Sequence, residues 1–174
     1  MEEQDKLAQF EHSIMPHMDA AYNLARWLSR NDADAQDIVQ EAYLRAFKFF
    51  AGFRGGNSRA WLLRIVRNAF YDWLKKHRGE ELEETFDEEL HDTSEPTSAP
   101  DALLLDKADH ELLHKAIAEL PLEFREILIL RELEGLSYKE LSEAAQLPLG
   151  TVMSRLARAR QHLRNLLVAR IEVK

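Results

Sequence analysis

A chain of 174 residues with 31 acids against 23 Lys and Arg, a net charge of −8 and no cysteine has room for one average domain or two small ones. The missing cysteines exclude a disulfide framework and thiolate metal sites, and no apolar run nears the roughly 18 residues of a membrane span. No secretory leader is visible, so a soluble, cytoplasmic protein with no membrane insertion of its own is expected.

Gly and Pro are few, Ala, Leu, Glu and Arg are many, and no alternating β-branched run occurs. The expected fold is therefore all-α, as two small helical domains joined by a flexible acidic linker. Divided along the chain, the charge is −4 over residues 1–53, +6 over 54–78, −11 over 79–106, −4 over 107–149 and +5 over 150–174. Two cationic segments flank the most acidic one, so the acidic total conceals two surfaces suited to nucleic acid.

Up to about Ser29, Phe10, Ile14, Ala21, Leu24, Ala25 and Leu28 recur at helical spacing, interrupted at Pro16, and should supply core. The next helix takes Asn31 or Asp32 as its cap, with acids in its first turns where the helix dipole favours them. Ile38, Val39, Ala42, Ala46 and Phe49 turn inward, leaving Asp37, Gln40, Glu41, Leu44, Arg45 and Lys48 on an exposed face. Such a face is either a docking surface or merely solvated.

A break at Gly52, Gly55 and Gly56 precedes a helix expected over Ser58 to His77, whose stripe of Leu62, Ile65, Val66, Ala69, Phe70 and Trp73 is buried. Opposite lie Arg64, Arg67, Asn68, Tyr71, Lys75 and Arg78. Cations interleaved with a ring and an amide match what single-stranded nucleic acid requires, because phosphates pair with charge and an unstacked base lies on the ring. Trp61, beside the glycine loop, either stacks on a base or plugs the loop onto the core, with the plug preferred. The acidic stretch after it carries Pro96 and Pro100 and little apolar periodicity apart from Leu82, Phe86 and Leu90, and reads as a tether.

Helices are expected again from Asp101 to Glu119 and, after Pro121, from Leu122 to Glu134, with Gly135 where a terminating glycine belongs. Ser137 and Glu140 then form a capping box, with Leu136 and Leu141 at the spacing of a hydrophobic staple. That helix must stop before Pro148 and Gly150, and Thr151 is the expected cap of the next, giving a helix-turn-helix. In the second helix Val152, Leu156, Ala159 and Leu163 face inward, while Ser154, Ala157, Arg158 and Gln161 face outward between Met153, Arg155 and Arg160. Short polar side chains on a crest ringed by arginines suit a DNA major groove.

The strings DADAQDIVQEAYLRAF, FRGGNSRAWLLRIVRN and LPLEFREILILRELEGLSYKELSEAAQLPLGTVMSRLARAR together resemble a bacterial RNA polymerase sigma factor of the extracytoplasmic-function (ECF) type. The resemblance implies region two within 1–78, an acidic linker over 79–106 and region four within 107–174. It implies three partners: core RNA polymerase, promoter DNA and an anti-sigma factor. Asp37, Gln40, Glu41, Leu44 and Arg45 would dock on polymerase. Phe53, Arg54, Asn57, Ser58, Trp61, Arg64, Arg67, Asn68, Tyr71 and Lys75 would melt and hold minus-ten DNA. Thr151, Met153, Ser154, Arg155, Ala157, Arg158 and Gln161 would read the minus-thirty-five element. Met153 stands where the family often carries a base, which implies an altered sequence preference.

Two rival readings exist. His110, Glu111 and His114 spell HExxH, a zinc-hydrolase signature, but both histidines point away from the stripe of Leu105, Leu112 and Ala116 and should face solvent. No catalytic activity, metal or cofactor is expected. The nearer rival is a helix-turn-helix regulator that binds DNA without polymerase.

Overall fold

In the computed structural model the described residues are 2–84 and 107–173, with side chains described for 2–77 and 107–171. The expectations on Phe86, Leu90, Pro96, Pro100 and the start of the helix at Asp101 lie outside them.

The first apolar segment breaks where Pro16 removes a backbone donor: α1 (Glu2–Ser13) gives way to a 3-10 turn over Met15–His17, and α2 (Met18–Ser29) follows. Phe10, Ile14, Ala21, Leu24, Ala25 and Leu28 are all buried. Asn31 caps α3 (Asp32–Lys48) in extended backbone, its side-chain oxygen accepting from the Asp34 amide at 2.9 Å. Ile38, Ala42 and Ala46 pack inward, but Phe49 is 57% exposed. Phe49 ends α3 at φ −100°, ψ 12°, so its ring leaves the helical stripe, and Phe50 takes the core position instead.

The glycine break holds a second 3-10 turn, Phe50–Gly52, and then Gly55 and Gly56 at φ +88° and +90°, where a side chain would be strained. Asn57 closes it, its side-chain oxygen accepting from the Ala60 amide at 3.0 Å at the start of α4 (Ser58–Glu84). α4 runs past the expected end at His77 into the acidic stretch. Its buried stripe is Leu62, Leu63, Val66, Ala69 and Phe70, with Ile65 and Trp73 half-buried.

After α5 (Lys107–Ala118), α6 (Leu122–Leu128) opens behind Pro121. It does not remain α-helical to Glu134 but widens into a π turn over Ile129–Leu133, with the Glu134 amide reaching back to the Ile129 carbonyl at 3.0 Å. Gly135 at φ +69° ends this turn, and the Arg131 guanidinium joins it to the next helix by donating to the Leu136 carbonyl at 2.7 Å. In α7 (Tyr138–Ala145) the capping box is complete: Ser137 Oγ accepts from the Glu140 amide at 3.1 Å, and Glu140 Oε1 from the Ser137 amide at 2.9 Å. Ser137→Ala should therefore cost about 1 kcal/mol, read as a lowered midpoint in denaturant unfolding; an unchanged midpoint would show the cap to be idle.

α8 (Leu149–Val173) begins three residues earlier than expected. The Pro148 carbonyl accepts the first helical bond from Val152 at 3.0 Å, so Pro148 takes the cap position and Thr151 lies within the first turn. First-turn amides have no acceptor inside their own helix, so a proline just ahead of them costs nothing.

The fold is all-helical among the described residues. α1 to α4 form one bundle and α5 to α8 a second, and the two are not held apart. α6 packs on α2 and α7 on α4, so the buried apolar side chains form one continuous cluster from Phe10 to Ala159. The two helical bodies expected from sequence both exist, and they share an interface.

Candidate nucleic-acid interface

Three surfaces carry the residues singled out from sequence. On α8, burial of Val152, Leu156 and Ala159 fixes the helix rotation and turns Met153, Ser154, Ala157, Arg158 and Gln161 into solvent. Thr151 and Arg155 sit half-buried on its flanks. Arg155 and Arg158 enter no hydrogen bond or ion pair among the described residues. Two other cations of the helix are occupied: Arg160 pairs with Glu132 at 2.8 Å, and Arg164 donates to Gln161 at 2.7 Å. The crest is therefore an open ridge of small and polar groups with Arg158 unengaged upon it.

On α3, Asp37, Gln40, Glu41 and Leu44 are exposed, Leu44 at 63%. Arg45 is half-buried and fixed at both ends, by Glu41 at 2.9 Å and by Asp72 of α4 at 2.9 Å. Leu44 therefore stands in solvent beside a Glu41 carboxylate that Arg45 holds in place.

On α4 and the loop before it, the arrangement differs from the sequence expectation. Arg54, Arg64 and Lys75 are exposed as expected, and Asn68 is half-buried. Trp61 plugs the loop: its ring lies 4.9 Å from that of Phe53 and 6.3 Å from that of Phe50. Ser58 Oγ shares a hydrogen bond with His17 Nε2 at 3.0 Å. Arg67 and Tyr71, expected on an open face, are covered by α6. Arg67 stacks over the Tyr71 ring at 4.6 Å, and both donate to the buried carboxylate of Glu126, Tyr71 through its hydroxyl at 2.8 Å. Burial first and the Glu126 charge second push the Tyr71 hydroxyl well above its usual range, so it stays protonated and donates. Asn57 is likewise engaged, its amide donating to Glu140 at 2.7 Å.

The partners of these residues went unnoticed in the sequence. Arg59 pairs with the buried Glu134 at 3.1 Å, and burial pushes the Glu134 carboxyl up. Arg125, 5% exposed, donates to the carbonyls of Trp27 at 2.8 Å, Leu28 at 3.2 Å and Leu120 at 2.8 Å. A signal existed: Arg125 and Glu126 interrupt the apolar run from Phe124 to Leu130, and a charge pair inside a buried stripe needs partners from elsewhere.

Of the HExxH histidines, His114 is exposed as expected, with its ring 4.5 Å from that of Trp27 and its pKa held below the usual value by partial desolvation and then by Arg26, whereas His110 is half-buried. Among the described residues no group of three or more metal-ligating side chains converges. Nor, among them, is any helix long and apolar enough to cross a membrane.

The family models for sigma-70 region 2 and sigma-70 region 4 match residues 14–80 and 110–163. The chain is 34% identical over 165 residues to the ECF RNA polymerase sigma factor SigE of Mycolicibacterium smegmatis, covering 95% of this chain and 64% of that relative, so it spans under two thirds of that protein's length. It is 33% identical to the ECF RNA polymerase sigma-E factor of Haemophilus influenzae, over 82% of this chain and 78% of that relative. Among solved structures it resembles the sigma factor RpoE of Bartonella quintana, crystallised with the anti-sigma factor NepR, at a TM-score of 0.74 and 31% identity over 91% of this chain and 96% of that one. With both signature regions in order and such similarity along most of its length, the chain belongs to the ECF family of RNA polymerase sigma factors.

Proposed function

We propose that this chain is an alternative sigma factor that binds core RNA polymerase and directs transcription initiation at its own promoters, without catalysis of its own and in the cytoplasm. Residues 1–78 act as region two, 107–174 as region four, and 79–106 as the linker. Asp37, Gln40, Glu41, Leu44 and Arg45 form the polymerase-docking face. Met153, Ser154, Ala157, Arg158 and Gln161, with Thr151 and Arg155 beside them, read minus-thirty-five DNA in the major groove. The face of α4 with the Phe53 to Ser58 loop takes the melted minus-ten strand, Arg54, Arg64, Arg67 and Lys75 meeting phosphates and Tyr71 a base.

The observation that carries this reading is the crest of α8, which is anchored by Val152, Leu156 and Ala159 and left open at Arg158. The chain's similarity to a sigma factor crystallised with an anti-sigma factor supports an anti-sigma partner here as well. Run-off transcription with purified core polymerase over a genomic promoter library tests the proposal. Discrete transcripts that depend on the chain are expected. Tight duplex binding with neither transcripts nor co-purification of core polymerase would replace it with a polymerase-independent regulator.

A further inference from the structure

The ridge of α8 differs from one edge to the other. At about 100° per residue, Leu149, Met153 and Ala157 fall at i, i+4 and i+8 along one edge, and Ser154 and Arg158 form the next row toward the opposite edge. Leu149 is 48% and Met153 50% exposed, and Ala157 is exposed as well. An apolar strip therefore lies open along the opening turns of the helix, the part that reaches base edges when such a helix enters a groove.

The cations divide in the same way. Arg160 and Arg164, seven and eleven residues after Met153 and so on its side of the helix, are both engaged, the first by Glu132 at 2.8 Å and the second by the Gln161 side chain at 2.7 Å. Arg155 and Arg158, toward the other edge, enter no hydrogen bond or ion pair among the described residues. One edge thus offers unspent positive charge, and the other offers apolar surface without it. In the major groove the apolar substituent of a base edge is the C5-methyl of thymine, whereas the remaining groups are donors or acceptors. Methionine has no proton to donate and a thioether that accepts only weakly, so an amine or carbonyl pressed against it would lose water without replacement.

We propose that Met153, with Ala157 behind it, is a specificity-determining residue that reads thymine through its C5-methyl group. The proposal deepens the minus-thirty-five role proposed for α8 and rests on it. Burial of Val152, Leu156 and Ala159 fixes the rotation of the helix, so the apolar edge and Arg158 enter the groove together and divide the element between methyl and polar readout.

Holoenzyme reconstituted from the full chain and core polymerase is the reagent, and the promoters it transcribes supply the minus-thirty-five duplex. Each thymine of that duplex is replaced in turn by deoxyuridine, which lacks the methyl group but keeps the pairing and the O4 acceptor. At one thymine the replacement should weaken binding of the wild type about fourfold, the factor for leaving one methyl-sized group unburied. Met153→Ala should abolish that difference, and Met153→Leu, which restores apolar reach, should bring it back. Indifference of the wild type to every deoxyuridine refutes the proposal. So does an undiminished preference for thymine in Met153→Ala, which would give the methyl contact to another side chain. Promoters that share a minus-thirty-five block yet ignore the methyl overturn this inference alone, whereas transcribed promoters that share no such block overturn the role of α8 with it.

Discussion

Arg125→Met should lower the free energy of unfolding by about 3 kcal/mol and split one cooperative transition into two. The last carbonyls of a helix have no partner within it, and Trp27 and Leu28 lie in the final turn of α2. Arg26 and Ala25 carbonyls just before them are served by the Arg30 amide and the Ser29 hydroxyl, each at 2.8 Å. Arg125 serves the other two from α6, across the interface, and its positive charge sits at the negative end of the α2 dipole. Methionine fills similar volume but strips three carbonyls of their donor, at roughly 1–3 kcal/mol for each that stays dry.

Against this stands relief of a buried guanidinium. Burial, and then the charge of Arg30, hold the Arg125 pKa down at about 10, so desolvation is a substantial opposing cost. The carbonyls outweigh it while the bundles remain together. Once they part, water reaches Trp27 and Leu28, so the expected sign of the loss is separation before global unfolding. Calorimetry would show two peaks where the wild type shows one. A single peak at the wild-type temperature would mean that the interface does not depend on Arg125.

The second large effect is expected at Arg158. Arg158→Ala should reduce transcription from the protein's own promoters about tenfold or more, since one groove contact by arginine contributes roughly 1–3 kcal/mol. Stability should stay within about 0.5 kcal/mol, because the side chain is exposed and has no partner to lose. Core polymerase binding should be unaffected, because the docking face proposed above lies on α3 in the other bundle. The pattern of loss discriminates further. A deficit confined to particular promoter bases marks base readout, whereas a uniform deficit with a shallower salt dependence marks a phosphate contact. Equal loss of polymerase binding would show the α8 crest to be misassigned.

Much of this was legible before any coordinates. Local chemistry was read best: Asn31 as one of two candidate caps, the Ser137 and Glu140 box, Gly135 ending its helix, and the rotation of α8 set by Val152, Leu156 and Ala159. These depend on neighbours within one or two turns, and a sequence displays such neighbours directly. The face of α3 was legible for the same reason.

What escaped was non-local. Arg67 and Tyr71 have the period of an exposed face, and in the isolated bundle they would be exposed; Glu126, 55 and 59 positions further along, covers them. No periodicity encodes a partner at that separation. The π turn at Ile129–Leu133 was also missed, since its residues spell an ordinary helix and only the bond from Glu134 back to Ile129 distinguishes it. Phe49 and Thr151 failed for a smaller reason: both sit at helix ends, where a shift of one to three residues changes what a side chain faces.

Because the buried apolar side chains run without interruption from Phe10 to Ala159, neither bundle ends at its own surface. Either half produced alone would bare the apolar area that its neighbour now covers, so the two fragments should aggregate singly and re-associate on mixing.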